Sequence, residues 1–161
     1  MLTIQRATAS DVDAMHGIQM RAFEEEGRRC GTQALPPLQE TRASIAAHVE
    51  SEIALVARDG RTVVGCVRGL RGGAVCTVRA LVVEPSRHGQ GIGSALLRAL
   101  EAGLVGIERI ELTTNTVMER NVAFYEGHGY RVHGRTALIA GIELAHLSKA
   151  VAAAAPGRQP D

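Results

Sequence analysis

With 161 residues, 45% of them hydrophobic, the chain can bury one core and is short for two, so a single domain is expected. A formal charge of +1 with arginines spread along the chain offers no basic patch for nucleic acid or an anionic membrane, and 2% aromatics without tryptophan argue against base stacking. No apolar run reaches the ~18 residues that cross a bilayer, and MLTIQRATASD lacks a basic start followed by an apolar block, so a soluble cytoplasmic protein is the expectation.

Leu2 to Arg6 alternates apolar and polar and predicts a half-buried strand. Ser10 and Asp13 resemble a capping pair, and Val12, Met15, Ile18, Ala22 and Phe23 trace a helical stripe, predicting a helix over about 10–25. The segment EEEGRRCGTQALPPLQE has glycines, a Pro-Pro pair and no period, and reads as loop. A second helix is expected over about 40–50, with Ile45, Ala46 and Val49 inward. In ALVARDGRTVVGCVRGL two β-branched runs flank Asp59-Gly60, a hairpin signal. Arg71-Gly72-Gly73 makes the next turn, and Val75 to Val83 returns as a fourth strand that Pro85 stops. Cys66 and Cys76 fall in strand-like runs as small buried residues; with Cys30 they match neither a disulfide framework nor a zinc site.

The most informative stretch follows, VVEPSRHGQGIGSALLRALEAGLVG. Gly89, Gly91 and Gly93 leave the backbone uncrowded, so consecutive amides can face outward. From Ser94, Leu96, Leu97, Leu100 and Leu104 recur at helical spacing, with Arg98 and Glu101 on another face. Unpartnered amides and a positive dipole at that helix start favour a phosphate or pyrophosphate. A nucleoside triphosphate loop would need a lysine after its last glycine, and Ser94 and Ala95 stand there. A dinucleotide fingerprint would want a glycine where Leu96 stands, with Glu111 only a loose match for its acidic residue. A tight turn without a ligand is the remaining alternative.

A fifth strand over 107–114 should lie parallel to the fourth through a right-handed crossover, and strands that part at their ends would open a slot for an extended ligand. NTVMERNVAFYEGHGY predicts a short helix and the start of a sixth strand at Tyr130, and GIELAHLSKAV alternates like a seventh. The expected domain covers 1–149, with 150–161 as a fraying tail.

LVVEPSRHGQGIGSALL is similar to the acyl-CoA-binding motif of the GCN5-related N-acetyltransferases, with His88 where that family usually has Gln or Arg and Arg87 one place early. Asn121-Val122-Ala123-Phe124-Tyr125 followed by Gly129-Tyr130 resembles the family's second signature. The resemblance implies an α/β fold: a mixed, mostly antiparallel sheet of six or seven strands, splayed between the fourth and fifth, with helices on both faces. It implies acetyl-CoA as cosubstrate and direct acetyl transfer to a primary amine, the acceptor being a small molecule or a peptide. Cofactor binding is carried over to Leu81, Val82 and Val83 for the pantetheine arm, to His88, Gly89, Gln90, Gly91, Ile92, Gly93 and Ser94 for the pyrophosphate, and to Asn121 and Tyr125. Many relatives form dimers, an analogy that leaves a homodimer open.

On the same grounds Tyr125 is the expected general acid for the departing thiolate. An amide at or near Val83 would stabilise the oxyanion. Glu84 is the candidate base, with a reaction needing no protein base as its equal. Glu24, Glu25 and Glu26 either attract a cationic amine or form a solvated helix end. Arg68 reads as an exposed strand residue or an anion contact, and His128 as a turn residue. No histidine pair has the spacing of a metal site, and neither Cys66 nor Cys76 has a cue for an acyl-enzyme. A non-catalytic acyl-CoA-binding module is the alternative function, which Tyr125 disfavours.

Overall fold

In the computed structural model, which describes residues 1–139 and 141–152, the alternating N-terminal segment is strand β1 (Leu2–Arg6), with the bounds its pattern predicts. Helix α1 (Val12–Cys30) differs from expectation at both ends. Its entry is fastened by Thr8 and Asp11 rather than Ser10 and Asp13, the Thr8 amide donating to Asp11 Oδ2 at 2.8 Å. It then runs on to Cys30, because Glu24, Glu25, Glu26, Arg28 and Arg29 tolerate a helix well and one glycine costs only about 1 kcal/mol. Gly27 has a packing reason. A Cβ there would lie 2.8 Å from the Thr32 carbonyl oxygen and 3.0 Å from Leu38 Cδ1, where the chain folds back on the helix. Gly31, at φ 68°, ends α1 with its amide donating to the Arg28 carbonyl.

The irregular stretch thus begins only at Gly31, and it contains a proline-started helical turn, α2 (Pro36–Gln39). Thr41 caps α3 (Arg42–Ser51) by accepting from the Ser44 amide at 3.2 Å. Ile45 and Val49 are buried as expected, but Ala46 is exposed and Glu40 precedes the helix. The hairpin β2 (Ile53–Asp59) and β3 (Thr62–Gly72) turns at Asp59-Gly60, and β4 (Val75–Val83) follows. Next come α4 (Ile92–Ala102), which starts ahead of Ser94, then β5 (Arg109–Asn115) and α5 (Glu119–Gly127). The chain closes with β6 (Arg131–Ala137) and β7 (Glu143–Ala150). The Val151 amide still donates to the Glu108 carbonyl at 2.8 Å; the expected fraying from residue 153 onward lies outside the described residues.

The seven strands form one sheet in the order β1-β2-β3-β4-β5-β7-β6, and only β4 and β5 run parallel. They pair at Val75↔Arg109, Cys76↔Ile110 and Thr77↔Glu111, then separate. The sheet is therefore mixed, mostly antiparallel and splayed where the pattern placed the slot. Helices cover both faces. Ile92, Leu96, Leu97 and Leu100 of α4 pack on one face against Val64, Val67, Cys76 and Val78, each leucine worth roughly 1.5–3 kcal/mol. Met15, Ile18, Ile45 and Val49 of α1 and α3 pack on the other against Val56, Cys66 and Val82. Both strand cysteines are buried, and burial pushes the Cys66 thiol up to about 12.

These clusters expose an irregularity in β4. Side chains alternate with period two, so Cys76, Val78 and Val82 should share a face, yet Val82 lies on the opposite one. An extra residue explains it: Arg68 pairs with Arg79 and Cys66 with Val82, so Val67 faces both Ala80 and Leu81 in a β-bulge. Ala80 takes φ 53°, the only non-glycine with positive φ among the described residues.

Arg68 is neither solvent-exposed nor free for an anion. It is 1% exposed, and its Nη2 and Nη1 donate to the Glu40 carboxylate at 2.6 and 2.9 Å. Gln19 and Ser44 also donate to Glu40, at 2.9 and 2.8 Å, while Arg68 Nη2 donates to Gln19 Oε1 at 2.8 Å. Burial alone would raise the Glu40 carboxyl, but these hydrogen bonds and the Arg68 charge hold it well below the usual range. The network ties α1, the α2–α3 connection, α3 and β3 into one block.

Breaking such a pair strands a buried charge, so Arg68→Met should cost about 3–5 kcal/mol in urea unfolding at neutral pH. An Arg68→Met, Glu40→Leu double variant should recover much of that loss. Because the folded pKa of Glu40 is depressed, its contribution is whole above the 4.5 of a free glutamate and is lost as pH falls through the folded value. The stability gap between wild type and Glu40→Gln should accordingly narrow on acidification; a gap independent of pH would contradict this assignment.

Candidate active site

Where β4 leaves β5, the sheet opens into a cavity of about 340 Å³. One wall is Val78 to Leu81 of β4 and Leu112 to Asn115 of β5, and Asn121 and Tyr125 of α5 close it on one side. Phe23 and Glu26 of α1, with Leu35, Pro36 and Glu40, form the other. The bulge lies in this wall, so Ala80 and Leu81 have no regular partner on β3 and none on β5. Of the three strand residues expected to meet a ligand, Leu81 lines the cavity. Val82 packs into the α1–α3 core, and Val83 lies beyond the cavity wall.

The glycine loop lies just past β4. Gly91 caps α4 at φ 78°, and Gly89 has the same φ. The amides of residues 89–94 have no hydrogen-bond acceptor among the described residues, so the helix start presents free donors, as an anion site requires. The loop is braced from behind: Arg87 donates to Asp59 at 2.6 Å and to Gln90 Oε1 at 3.0 Å. Arg87 and the Gln90 side chain are thereby committed to the loop's own shape. His88 is exposed, with Nε2 3.3 Å from the Val83 carbonyl oxygen.

His128 does more than occupy a turn. Its Nε2 lies 3.0 Å from Ser94 Oγ, and its ring sits 4.7 Å from that of Phe124. Burial, and then the Arg98 charge, lower its pKa, so a neutral imidazole joins the α4 start to the α5 end. Nothing in the sequence spacing marks that contact, since the two residues are 34 apart.

Tyr125 is partly buried, edge-on to Phe124 and Tyr130 at 5.2 and 5.8 Å between ring centres. Burial raises its pKa still further above neutrality than that of a free phenol. Tyr130 is committed elsewhere, donating to Glu101 at 3.0 Å.

The acidic candidates separate sharply. Glu84 is gripped by Arg21, whose Nε and Nη2 donate at 2.8 and 2.6 Å, and that bond holds its carboxyl below the ordinary range. It lies outside the cavity lining, and its bonds to Arg21 tie α1 to the end of β4. Glu24 and Glu25 face solvent, while Glu26 is buried and lines the cavity. Among the described residues no group of three or more His, Cys, Asp or Glu could hold a metal ion, and no helix is long and apolar enough to cross a membrane.

A family model described as an acetyltransferase (GNAT) domain matches residues 50–132, more than half of the chain. The chain belongs to the GNAT family. Its match takes in the bulge, the glycine loop and the α5 tyrosine, and as a GNAT domain it is an acyl-CoA-dependent acetyltransferase. The ribosomal-protein-S18-alanine N-acetyltransferase of Escherichia coli superposes with a TM-score of 0.79 over 99% of each chain at 18% identity. The PaiA N-acetyltransferase of Thermoplasma acidophilum, solved with coenzyme A, gives 0.78 over 93% of this chain and 99% of its own at 15% identity. YncA of Salmonella typhimurium, solved with acetyl-CoA, gives 0.76 over 96% of each at 17% identity. At these identities the likeness is one of fold. No curated protein matches in sequence.

The GNAT loop separates two kinds of glycine. A Cβ at Gly93 would only touch Phe124 and Val83 at 3.7 Å, whereas Gly91 has open space but a left-handed backbone. Gly91→Ala should therefore cost about 1–2 kcal/mol in thermal unfolding, and Gly93→Ala much less. Equal losses would mean that packing, not backbone conformation, fixes the loop.

Proposed function

We propose that this GNAT domain transfers an acetyl group from acetyl-CoA directly to a primary amine of a small molecule or peptide. The reading is carried by one juxtaposition: Tyr125 shares a cavity with the unpaired backbone of the β4 bulge. The free amides of residues 89–94 would hold the pyrophosphate, with His88 beside them. Leu81 to Val83 would border the pantetheine arm, and Asn121, in the first turn of α5, would reach its polar groups. Acetyl-CoA brings an activated thioester, and the protein's part is to position it and manage charge and protons.

A carbonyl oxygen placed at the bulge would meet backbone amides already held in position, so developing negative charge is stabilised without reorganisation. The Tyr125 hydroxyl, protonated at neutral pH like any phenol, would give its proton to the departing sulfur. With Glu84 tied to Arg21, base duty does not fall to it. The cavity's lining is mixed, with Phe23, Leu35 and Leu81 beside Gln19, Glu26, Arg79 and Asn115, which suits an amine whose body is partly polar.

Tyr125→Phe should leave the heat of acetyl-CoA binding essentially unchanged and lower kcat with an accepted amine by roughly 10²–10⁴-fold. Undiminished turnover would remove Tyr125 from the reaction, and turnover absent from the wild type across a broad amine panel would favour a binding module.

A further inference from the structure

We propose that Glu26 is the carboxylate that receives the acceptor: it pairs with the incoming ammonium and takes the proton that frees the nitrogen lone pair. The inference rests on the reading of the cavity as a GNAT acyl-transfer site. It assigns the base and narrows the acceptor to amines that arrive as cations.

Three carboxylates border this region, and two are already engaged. Glu40 is held by both Arg68 nitrogens, and Glu84 by both ends of the Arg21 fork. Glu26 is 6% exposed, lines the cavity, and enters no ion pair among the described residues. Its neighbours are the amide of Asn115 and, at longer range, Arg29. Asn115 is itself fixed, donating to Cys30 Sγ at 3.2 Å and accepting from the Val117 amide at 3.1 Å. A charge so deeply buried without a cation is costly unless a ligand supplies one.

Burial raises the carboxyl's pKa, opposed by Asn115 and then Arg29, which moves it toward the range of a working base. The other titratable groups on the cavity are Glu40 and Arg79, which face each other at 3.6 Å, and Tyr125. None of these is a free anion. The helix delivers Glu26 only because α1 continues to Cys30, which also turns Glu24 and Glu25 to solvent.

The step balances as follows. The ammonium gives one proton to Glu26, and the amine lone pair forms the C–N bond to the thioester carbonyl carbon. The C–S bond then breaks, its electron pair stays on sulfur, and Tyr125 protonates the thiolate. The nitrogen's second proton restores the Tyr125 phenol, and Glu26 releases its proton to solvent. Products are the amide, the free thiol and one proton.

The test compares wild type, Glu26→Gln and Glu26→Asp with two kinds of acceptor at pH 7.5: alkylamines, which are protonated, and low-pKa amines such as methoxyamine, which are neutral. For Glu26→Gln, kcat/KM with an alkylamine should fall by about 10²-fold or more, while methoxyamine turnover should change only several-fold. The alkylamine loss should shrink as pH is raised toward the amine's own pKa, and Glu26→Asp should recover part of it. Because the folded pKa of Glu26 is raised, its charge costs stability above that of a free glutamate, so Glu26→Gln should melt higher than wild type at pH 7.5. Equal losses with both acceptors, or no loss, would overturn the assignment while leaving the transferase reading intact. Wild type that binds no acetyl-CoA by calorimetry would overturn that reading and this inference together.

Discussion

Two parallel strands that pair at three positions and then part leave backbone donors and acceptors without partners, and the molecule is arranged around that deficit. An ordinary sheet would close the gap. Here the bulge at Ala80 and Leu81 turns β4 away from regular pairing, and the left-handed Ala80 costs on the order of 1–3 kcal/mol. Such strain persists only where the surroundings over-determine it. The surroundings are the α4 leucines on one face, the α1–α3 core on the other, and side-chain ties at each end of the gap.

Those ties are electrostatic, and they divide the acidic residues by task. Arg68 and Glu40, both buried, weld the α2–α3 connection to β3 and so fix the far wall of the cavity. Arg21 and Glu84 fasten α1 to the end of β4, and Arg87 and Asp59 fasten the glycine loop to the β2–β3 turn. The exposed members contribute little to stability individually, but each restricts where the cavity's edges can lie. What distinguishes Glu26 is that it enters no ion pair among the described residues, opposed only by the Asn115 amide and the more distant Arg29. A buried carboxylate so weakly balanced is the natural place for a ligand's charge, at a cost in stability that the rest of the fold carries.

Much of this was legible in the sequence. Strand β1 and strand β4 have the predicted bounds, the Asp59-Gly60 hairpin and the parallel crossover stand where the pattern put them, and Gly89 and Gly91 precede a helix that already includes Gly93. Short-range signals carried those features. What escaped depends on distant partners. Arg68 sits in VRGLR, which locally reads as solvent-facing strand, and only Glu40, 28 residues earlier, makes its burial affordable. The full length of helix α1 escapes the local pattern, because the chain that packs on Gly27 lies downstream. Three consecutive glutamates look alike in one dimension and differ only once the helix assigns each a direction. The bulge left a trace, since Cys76, Val78 and Val82 are all apolar at even positions across a segment that switches faces, but the trace cannot be read without knowing what each face meets.

The central claim is that backbone donors along the parted edge and at the α4 start take the acyl donor. Hydrogen exchange at residue resolution, with and without acetyl-CoA, tests it most directly. Slowed exchange confined to Leu81 and its neighbours in the bulge and to the amides of residues 89–94, with the β2–β3 ladder unchanged, is the predicted result. Protection that appears elsewhere while those amides exchange as freely as before would contradict the account.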